Sequence, residues 1–174
     1  MASSAGKMIS SDIVSSHIKN DMCQVFVMTS PATFPFSFAM HPWFVINRKG
    51  IISRFGVSWR DSSPNYQTYF KTHTHDACNG HLHKNALTPS QGLEVFISLP
   101  WHWRGKIIGM IEGGEGTLAA RMAEFIENST ATYPYCGQYA LRGPNSNTYV
   151  AWVLEKFPES GIKLPWRAFG KSLA

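Results

Sequence analysis

The stretch Arg142–Thr148, with the sequence Arg-Gly-Pro-Asn-Ser-Asn-Thr, decides how this chain is interpreted. A turn of Gly and Pro is followed by small polar residues and then by the apolar run Tyr149–Leu154. That order is typical of a capped helix start, and Pro158 predicts the end of the helix. The positions that share one helical face, and are therefore predicted to be core, are Val150, Val153, Leu154 and Phe157.

Ser146 lies in or beside the first turn of this predicted helix. Unpaired backbone N–H groups and the helix dipole favour a developing negative charge at such a position. The hydroxyl is therefore interpreted either as an N-cap or as a nucleophile. Position alone favours the cap, because Ser and Asn are the usual capping residues.

The segment Asn145–Val150 resembles the Asn-Cys-x-x-aromatic-aliphatic motif of circularly permuted papain-like proteins, the permuted relatives of NlpC-type peptidases and of lecithin:retinol acyltransferase. In those proteins the Cys begins a helix and a His comes from a strand far upstream. The longer phrase Gly143–Trp152 resembles more closely the domain-of-unknown-function family 3750. The resemblance covers roughly residues 23 to 174, and its other parts are His41–Ile46, Tyr133–Tyr135 and Leu164-Pro165…Gly170-Lys171.

The resemblance implies a catalytic site that differs from the family pattern at one position. Ser146 stands where the family pattern has the nucleophilic Cys. It implies His41 as the catalytic base, and Ser53 or Arg54 at the spacing of the residue that orients it. Neither is a usual acceptor for a His, and an Arg disfavours a charged imidazolium. An alcohol is also much harder to ionise than a thiol. The predicted binding residues are Asn145, Asn147, Trp43 and Arg54.

We therefore expect a permuted papain-like fold in a protein that is non-catalytic or ligand-binding. The alternative is a Ser-dependent amide or ester hydrolase or acyltransferase that uses Ser146 and His41. Whether the chain is an enzyme stays open at this point. Aromatic residues such as Phe36 and Trp43 would suit a small-molecule, peptide or acyl ligand, although a bulky core explains them equally well.

A second alternative is zinc binding through a His-rich loop. His73, His75, Cys78, His81 and His83 have the spacing His-x-His-x-x-Cys-x-x-His-x-His. His and thiolate are usual zinc ligands, but this spacing matches no common zinc module. The competing interpretation is a polar insertion that is rich in His, and no other cofactor is expected.

The basic residues are scattered along a chain of 174 residues with a net charge of +5. No dense basic run appears, so we expect no nucleic-acid partner, whereas an anionic substrate or a membrane surface is allowed. Three widely spaced Cys do not indicate a disulfide framework. No signal peptide or membrane-length apolar run is recognised, which predicts a cytoplasmic protein with no integral membrane segment. Oligomeric state is not predicted.

The predicted fold class is α+β, an antiparallel sheet packed against helices, in one domain over residues 23–174. Residues 1–22 are expected to be a flexible lead-in, and residues 61–89 a His-rich insertion. The tail is expected to dock on the body through residues such as Trp166. The predicted strands are Cys23–Met28, His41–Asn47, Ile51–Trp59 and Gly92–Leu99, and Lys106–Ile111 is a further strand or a short turn-like run. The predicted helices begin at Thr117 and near Ser146.

Overall fold

A five-stranded antiparallel sheet lies at the centre of the chain in a computed structural model. The structure describes residues 14–32, 35–59, 81–85, 87–94 and 102–173, the side chains of residues 93, 94 and 102–104 excepted. The strand order is β4-β3-β2-β1-β7, and β5 pairs with β6 in a separate ribbon. The strands are β1 (Cys23–Pro31), β2 (Met40–Arg48), β3 (Ile51–Val57), β4 (Leu82–Lys84), β5 (Gln91–Glu94), β6 (His102–Arg104) and β7 (Lys106–Gly113).

A two-residue turn joins β2 to β3. Arg48 pairs with Ile51, and the two residues between them, Lys49 and Gly50, have positive φ angles of 52° and 92°. Two left-handed residues match the twist of the flanking strands, and Gly accepts that conformation without steric cost. Asn47 Oδ1 accepts a hydrogen bond of 2.7 Å from the Gly50 N–H, which closes the turn.

In the described part of the chain, three α-helices follow β7. They are α1 (Leu118–Glu127), α2 (Ser129–Thr132) and α3 (Ser146–Lys156). Short 3-10 turns occur at Ser15–His17, Pro158–Ser160 and Lys171–Leu173. This arrangement confirms the predicted α+β class.

The two faces of the sheet pack into two different cores, because side chains alternate along each strand. The first core lies between the sheet and the helices α1 and α3; its strand residues include Val25, Phe44 and Phe55. The second core lies on the opposite face. It consists of Val14, Phe26, Met28, Trp43 and Val45, with Ile18, Ile52 and Ile107 packed against them.

The tail docks only in part, which corrects the sequence interpretation of Trp166. Leu164 packs against the first core, whereas Trp166 is 77% exposed. Ala168 N donates to Pro165 O at 3.1 Å, so Trp166 lies within a tight turn. A turn residue at the surface has few neighbours to pack against, which explains why this ring stays in solvent.

Candidate functional site

The start of α3 is closed by a complete capping box, and the cap is Asn145. Its Oδ1 accepts hydrogen bonds from the N–H groups of Asn147 at 2.9 Å and Thr148 at 3.4 Å. In return Thr148 Oγ1 accepts one from the Asn145 N–H at 3.1 Å. Two first-turn donors are therefore satisfied by the capping side chain. Ser146 is the first helical residue and not the cap.

The same residues, Asn145–Thr148, which we call the helix-start turn, also hold the C-terminal segment. Asn145 Nδ2 and Asn147 Nδ2 both donate to Phe169 O, at 3.2 and 2.9 Å. Thr148 Oγ1 donates to Gly170 O at 2.8 Å. Three side chains of one turn thus bind two consecutive carbonyls that lie more than twenty residues further along the chain.

Two glycines make this close approach feasible. Gly143 has a φ angle of +104°, and a Cβ built on it would lie 2.7 Å from Leu173 Cδ1. Gly170 has a φ angle of +91°, and its Cβ would lie 2.9 Å from Asn145 Nδ2. A side chain at either position would force the two segments apart, so both must be Gly. This accounts for the Gly at position 143 of the segment Arg142–Thr148.

Ser146 is buried, with 3% of its surface exposed. Within the described part of the chain its side chain has no hydrogen-bond partner. The N–H groups of Asn147 and Thr148, which could have served as oxyanion donors, are bound to Asn145 Oδ1. A nucleophile needs access to substrate and free donors nearby, and this arrangement provides neither in the conformation described.

His41 is the second residue of β2, and the backbone of this strand does reach α3. Asn147 Nδ2 donates to Met40 O at 3.1 Å, so the helix-start turn lies against the residue next to His41. The ring of His41, however, lies on the face of the sheet that carries the second core. It lies 5.8 Å from the ring of Trp43, two positions along the strand, whereas α3 packs on Phe44 through Tyr149.

Burial and the nearby Arg54 cation lower the pKa of His41 to about 3. The imidazole is therefore neutral at pH 7, and with so low a pKa it is a weak proton acceptor. No hydrogen bond joins His41 to Ser146 among the described residues. The nucleophile–base pair accordingly stays a prediction.

Arg54 and Trp43, two of the predicted binding residues, contact each other and a turn of the protein. The guanidinium carbon of Arg54 lies 4.1 Å from the centroid of the Trp43 ring, and Arg54 is 1% exposed. Arg54 Nη1 donates to Thr88 O and to Gln91 O, and Trp43 Nε1 donates to Pro89 O at 2.8 Å. Both side chains thus hold the segment 88–91 against the second core.

Sequence reasoning missed this structural role of Arg54. A single Arg within an apolar strand was interpreted through the family site, as a residue close to His41. The alternation of side chains along a strand could have revealed it. Arg54 is two positions from Ile52 and one position from Phe55, so it lies on the same face of the strand as Ile52 and on the opposite face from Phe55.

The predicted metal ligands are only partly described. His73, His75 and Cys78 lie outside the described residues. His81 Nδ1 lies 3.2 Å from Ser58 O, and its ring is 5.5 Å from that of Tyr139. His83 is buried where β4 pairs with Gly56. Over the described ranges no three His, Cys, Asp or Glu side chains are grouped to hold a metal ion, and zinc binding stays a prediction.

No helix in the described part of the chain combines the length and apolar character that a bilayer crossing requires. A family model described as "Protein of unknown function (DUF3750)" matches residues 22–173. No curated protein and no solved structure matches the chain.

Proposed function

This chain belongs to the DUF3750 family, and we propose that it is a non-catalytic binding protein of permuted papain-like ancestry. The observation that carries the proposal is the state of the helix-start turn. Its capping groups are bound to one another and to the C-terminal segment, and Ser146 is buried. The place of the nucleophile in the related motif is occupied here by a buried serine, within a turn whose other side chains help to build the fold.

The electrostatics of His41 support the same proposal. A general base for an alcohol nucleophile works best with a pKa close to the working pH. Burial first, and then the cation of Arg54, hold the pKa of His41 at about 3. An imidazole with so low a pKa would not retain a proton taken from the Ser146 hydroxyl. It would therefore contribute little to catalysis as a general base.

The papain-like ancestry is supported by the order of the parts. A helix begins with an Asn-Ser-Asn-Thr turn and packs on an antiparallel sheet, and the turn bonds to the start of a strand that carries a His. Permuted papain-like proteins place a Cys and a His on corresponding elements. In our proposal the elements have been kept while the catalytic groups have been replaced or buried.

Active-site labelling tests the proposal. Wild-type protein and Ser146→Ala are incubated with a fluorophosphonate probe, and covalent labelling is read by intact-mass spectrometry. We expect no modification of either protein, and no hydrolysis of a panel of esters and amides beyond that of the variant. Labelling of wild type that disappears in Ser146→Ala would overturn the non-catalytic assignment.

The Ser-dependent hydrolase or acyltransferase remains a second candidate because of one buried atom beside Ser146. In the described part of the chain, Asn147 Oδ1 is buried and has no hydrogen-bond partner. Buried polar groups are normally paired, and exceptions occur at functional sites. A rearrangement that breaks the bond between Asn147 and Phe169 O and lifts the C-terminal segment would free this amide group. The labelling experiment, repeated with a variant lacking residues 165–174, decides between the candidates: labelling of that variant at Ser146 supports the hydrolase.

A further inference from the structure

Three chain segments meet beside the helix-start turn. Arg167 donates from its guanidinium to Phe38 O and Ser37 O, and Met40 N donates to Arg167 O at 3.2 Å. Asn145 Nδ2 donates to Leu141 O at 3.0 Å as well as to Phe169 O. Residues 35–39, 140–144 and 163–173 therefore form one continuous surface, which we call the basic-aromatic surface.

Large apolar side chains are concentrated on this surface. The rings of Phe36 and Phe38 lie 6.3 Å apart, and those of Phe38 and Phe169 lie 6.0 Å apart. Nine large apolar side chains are exposed among the residues that the structure describes, and six of them belong to these three segments. The six are Phe36, Phe38, Leu141, Trp166, Phe169 and Leu173. A concentration of exposed apolar side chains of this kind indicates an interaction site.

The same three segments carry cations and no acidic residue. Their basic residues are Arg142, Lys163, Arg167 and Lys171, and their sequences contain neither Asp nor Glu. Arg167 and Lys171 donate to backbone carbonyls, which leaves their positive charge in place. No carboxylate within the described ranges pairs with any of the four.

The acidic residues lie elsewhere in the fold. Within the described ranges, ion pairs occur at the far end of the sheet and beside α1. They join Lys19 to Glu112, Arg48 to Glu127, Lys49 to Glu115 and Arg121 to Glu159. The positive charge of the chain is therefore neutralised in those places and stays unneutralised on the basic-aromatic surface.

We propose that the basic-aromatic surface docks on an anionic phospholipid bilayer, with Trp166 and the neighbouring Phe side chains entering the headgroup region. Trp favours the membrane–water interface because one edge of the ring is apolar and the other carries an N–H. Lys and Arg close to the surface are attracted to the negative potential of anionic lipids. Stable docking requires two such signals together, and both are present here.

The placement of these side chains favours a bilayer over a protein helix as the occupant. The exposed rings lie on turns and at loop positions of two separate segments, and not along a strand or a helix. Partner helices bind in grooves lined by regularly spaced side chains. A fluid headgroup layer instead accepts several separate apolar side chains at once, and it presents a continuous field of negative charge. This inference gives the proposed binding role its ligand and rests on that proposal.

Vesicle sedimentation with the full chain tests it. The protein is mixed with vesicles of phosphatidylcholine alone or with about 30 mol% phosphatidylserine, a composition with a strongly negative surface. We expect it to pellet with the anionic vesicles, to be released by salt, and to stay in the supernatant with neutral vesicles. Brominated lipids should quench the tryptophan emission of wild type and quench that of Trp166→Phe much less.

Matched variants separate docking from folding. Trp166→Ser should weaken the partition by about tenfold, since a single large interfacial ring is removed. Ile51→Ser, which changes a side chain that is 73% exposed at the β2–β3 turn, should leave partition unchanged. Lys163→Gln should weaken it, whereas Lys156→Gln, at the opposite end of α3, should not.

Three outcomes would overturn the inference: no pelleting with anionic vesicles, equal pelleting with neutral ones, or equal losses for Trp166→Ser and Ile51→Ser. A concentration-dependent dimer that buries Trp166, found without vesicle binding, would assign the surface to a second copy. Failure here would leave the non-catalytic assignment standing, because that assignment depends on the labelling of Ser146.

Discussion

The two faces of the central sheet bury different kinds of side chains. The first core is almost wholly apolar, with Val25, Phe44 and Phe55 packed beneath α1 and α3. The opposite face buries polar side chains beside its apolar ones, among them Gln24, His41, Asn47, Arg54 and His83. Gln24 and Asn47 bond to each other and to backbone of residues 17–19, while Arg54 bonds to residues 88–91.

This difference between the two faces matches the kind of chain segment that packs on each of them. Apolar packing is non-directional, so the first face can hold two helices at once by area alone. Segments without regular structure have unpaired backbone groups that must be satisfied by hydrogen bonds. The second face supplies those bonds from buried polar side chains. We therefore expect the first face to determine most of the free energy of unfolding, and the second face to determine where the attached segments lie.

Removing a large side chain from the first face should have the greatest effect. Phe44 is fully buried and its ring meets that of Tyr149 edge to face at 5.8 Å. Phe44→Ala should lower the free energy of unfolding by about 3–5 kcal/mol, through lost burial and the cavity left behind. Urea denaturation measures this. The exposed Ile51→Ala is the control and should change stability by less than about 0.5 kcal/mol.

Arg54→Met should have the next largest effect. The variant keeps the bulk over Trp43 but leaves Thr88 O and Gln91 O without their donor, at a cost of about 2–3 kcal/mol. It should also raise the pKa of His41, because the Arg54 cation is one of the two causes that lower it. Stability by urea denaturation and the His41 titration by NMR check the two parts. An unchanged His41 pKa would contradict the electrostatic link between the two side chains.

Acid should destabilise the protein through His41. Its folded pKa of about 3 lies below the ordinary value of 6.5, so the unfolded chain binds a proton that the folded chain does not. Stability from this group is complete above pH 6.5 and is lost as the pH falls towards 3. The slope should approach about 1.4 kcal/mol per pH unit, giving about 2 kcal/mol by pH 5.

His41→Gln should flatten that slope, since Gln does not titrate. The interval between pH 6.5 and 5 separates this effect from the carboxylates, because the pKa values of Glu112 and Glu115 are lowered from 4.5 by their lysine partners. Equal slopes for wild type and His41→Gln, measured by urea denaturation at several pH values, would show that the imidazole is not held neutral by burial.

The smallest effects compare two adjacent residues of the helix-start turn. Asn145→Ala should cost about 1–2 kcal/mol, because the cap and the bond to Phe169 O are lost together. Ser146→Ala should change stability by less than about 0.5 kcal/mol, since its hydroxyl has no partner in the described structure to lose. Thermal unfolding of the two variants provides the measurement. A larger loss for Ser146→Ala would identify the serine as the structural residue of the pair.

Much of the fold was accessible from the sequence because its signals are local. The β2–β3 hairpin, the helix start after Pro144 and the apolar face of α3 each depend on residues within a few positions of one another. The cap could be narrowed to Asn or Ser, but both are good caps. Only the hydrogen bonds of Asn145 decide between them.

The candidate site was harder to predict because it depends on which face of a strand a side chain takes. The resemblance places a His-bearing strand beside the helix start, and the Asn147–Met40 bond agrees with that. Strand alternation then puts His41 with Trp43, but nothing in the sequence says that α3 packs on the Phe44 side. Likewise the cations of the basic-aromatic surface are spread over thirty positions and come together only through the fold.

The pairing of β3 with β4 has a consequence for the order in which the sheet can form. Val57 and Leu82 are partners in the sheet although a long stretch of chain separates them, whereas β2 and β3 are joined by the two residues Lys49 and Gly50. In an unfolded chain, the entropy cost of bringing two segments together rises with the number of residues between them. The β2–β3 hairpin should therefore form before β4 is added at the edge of the sheet.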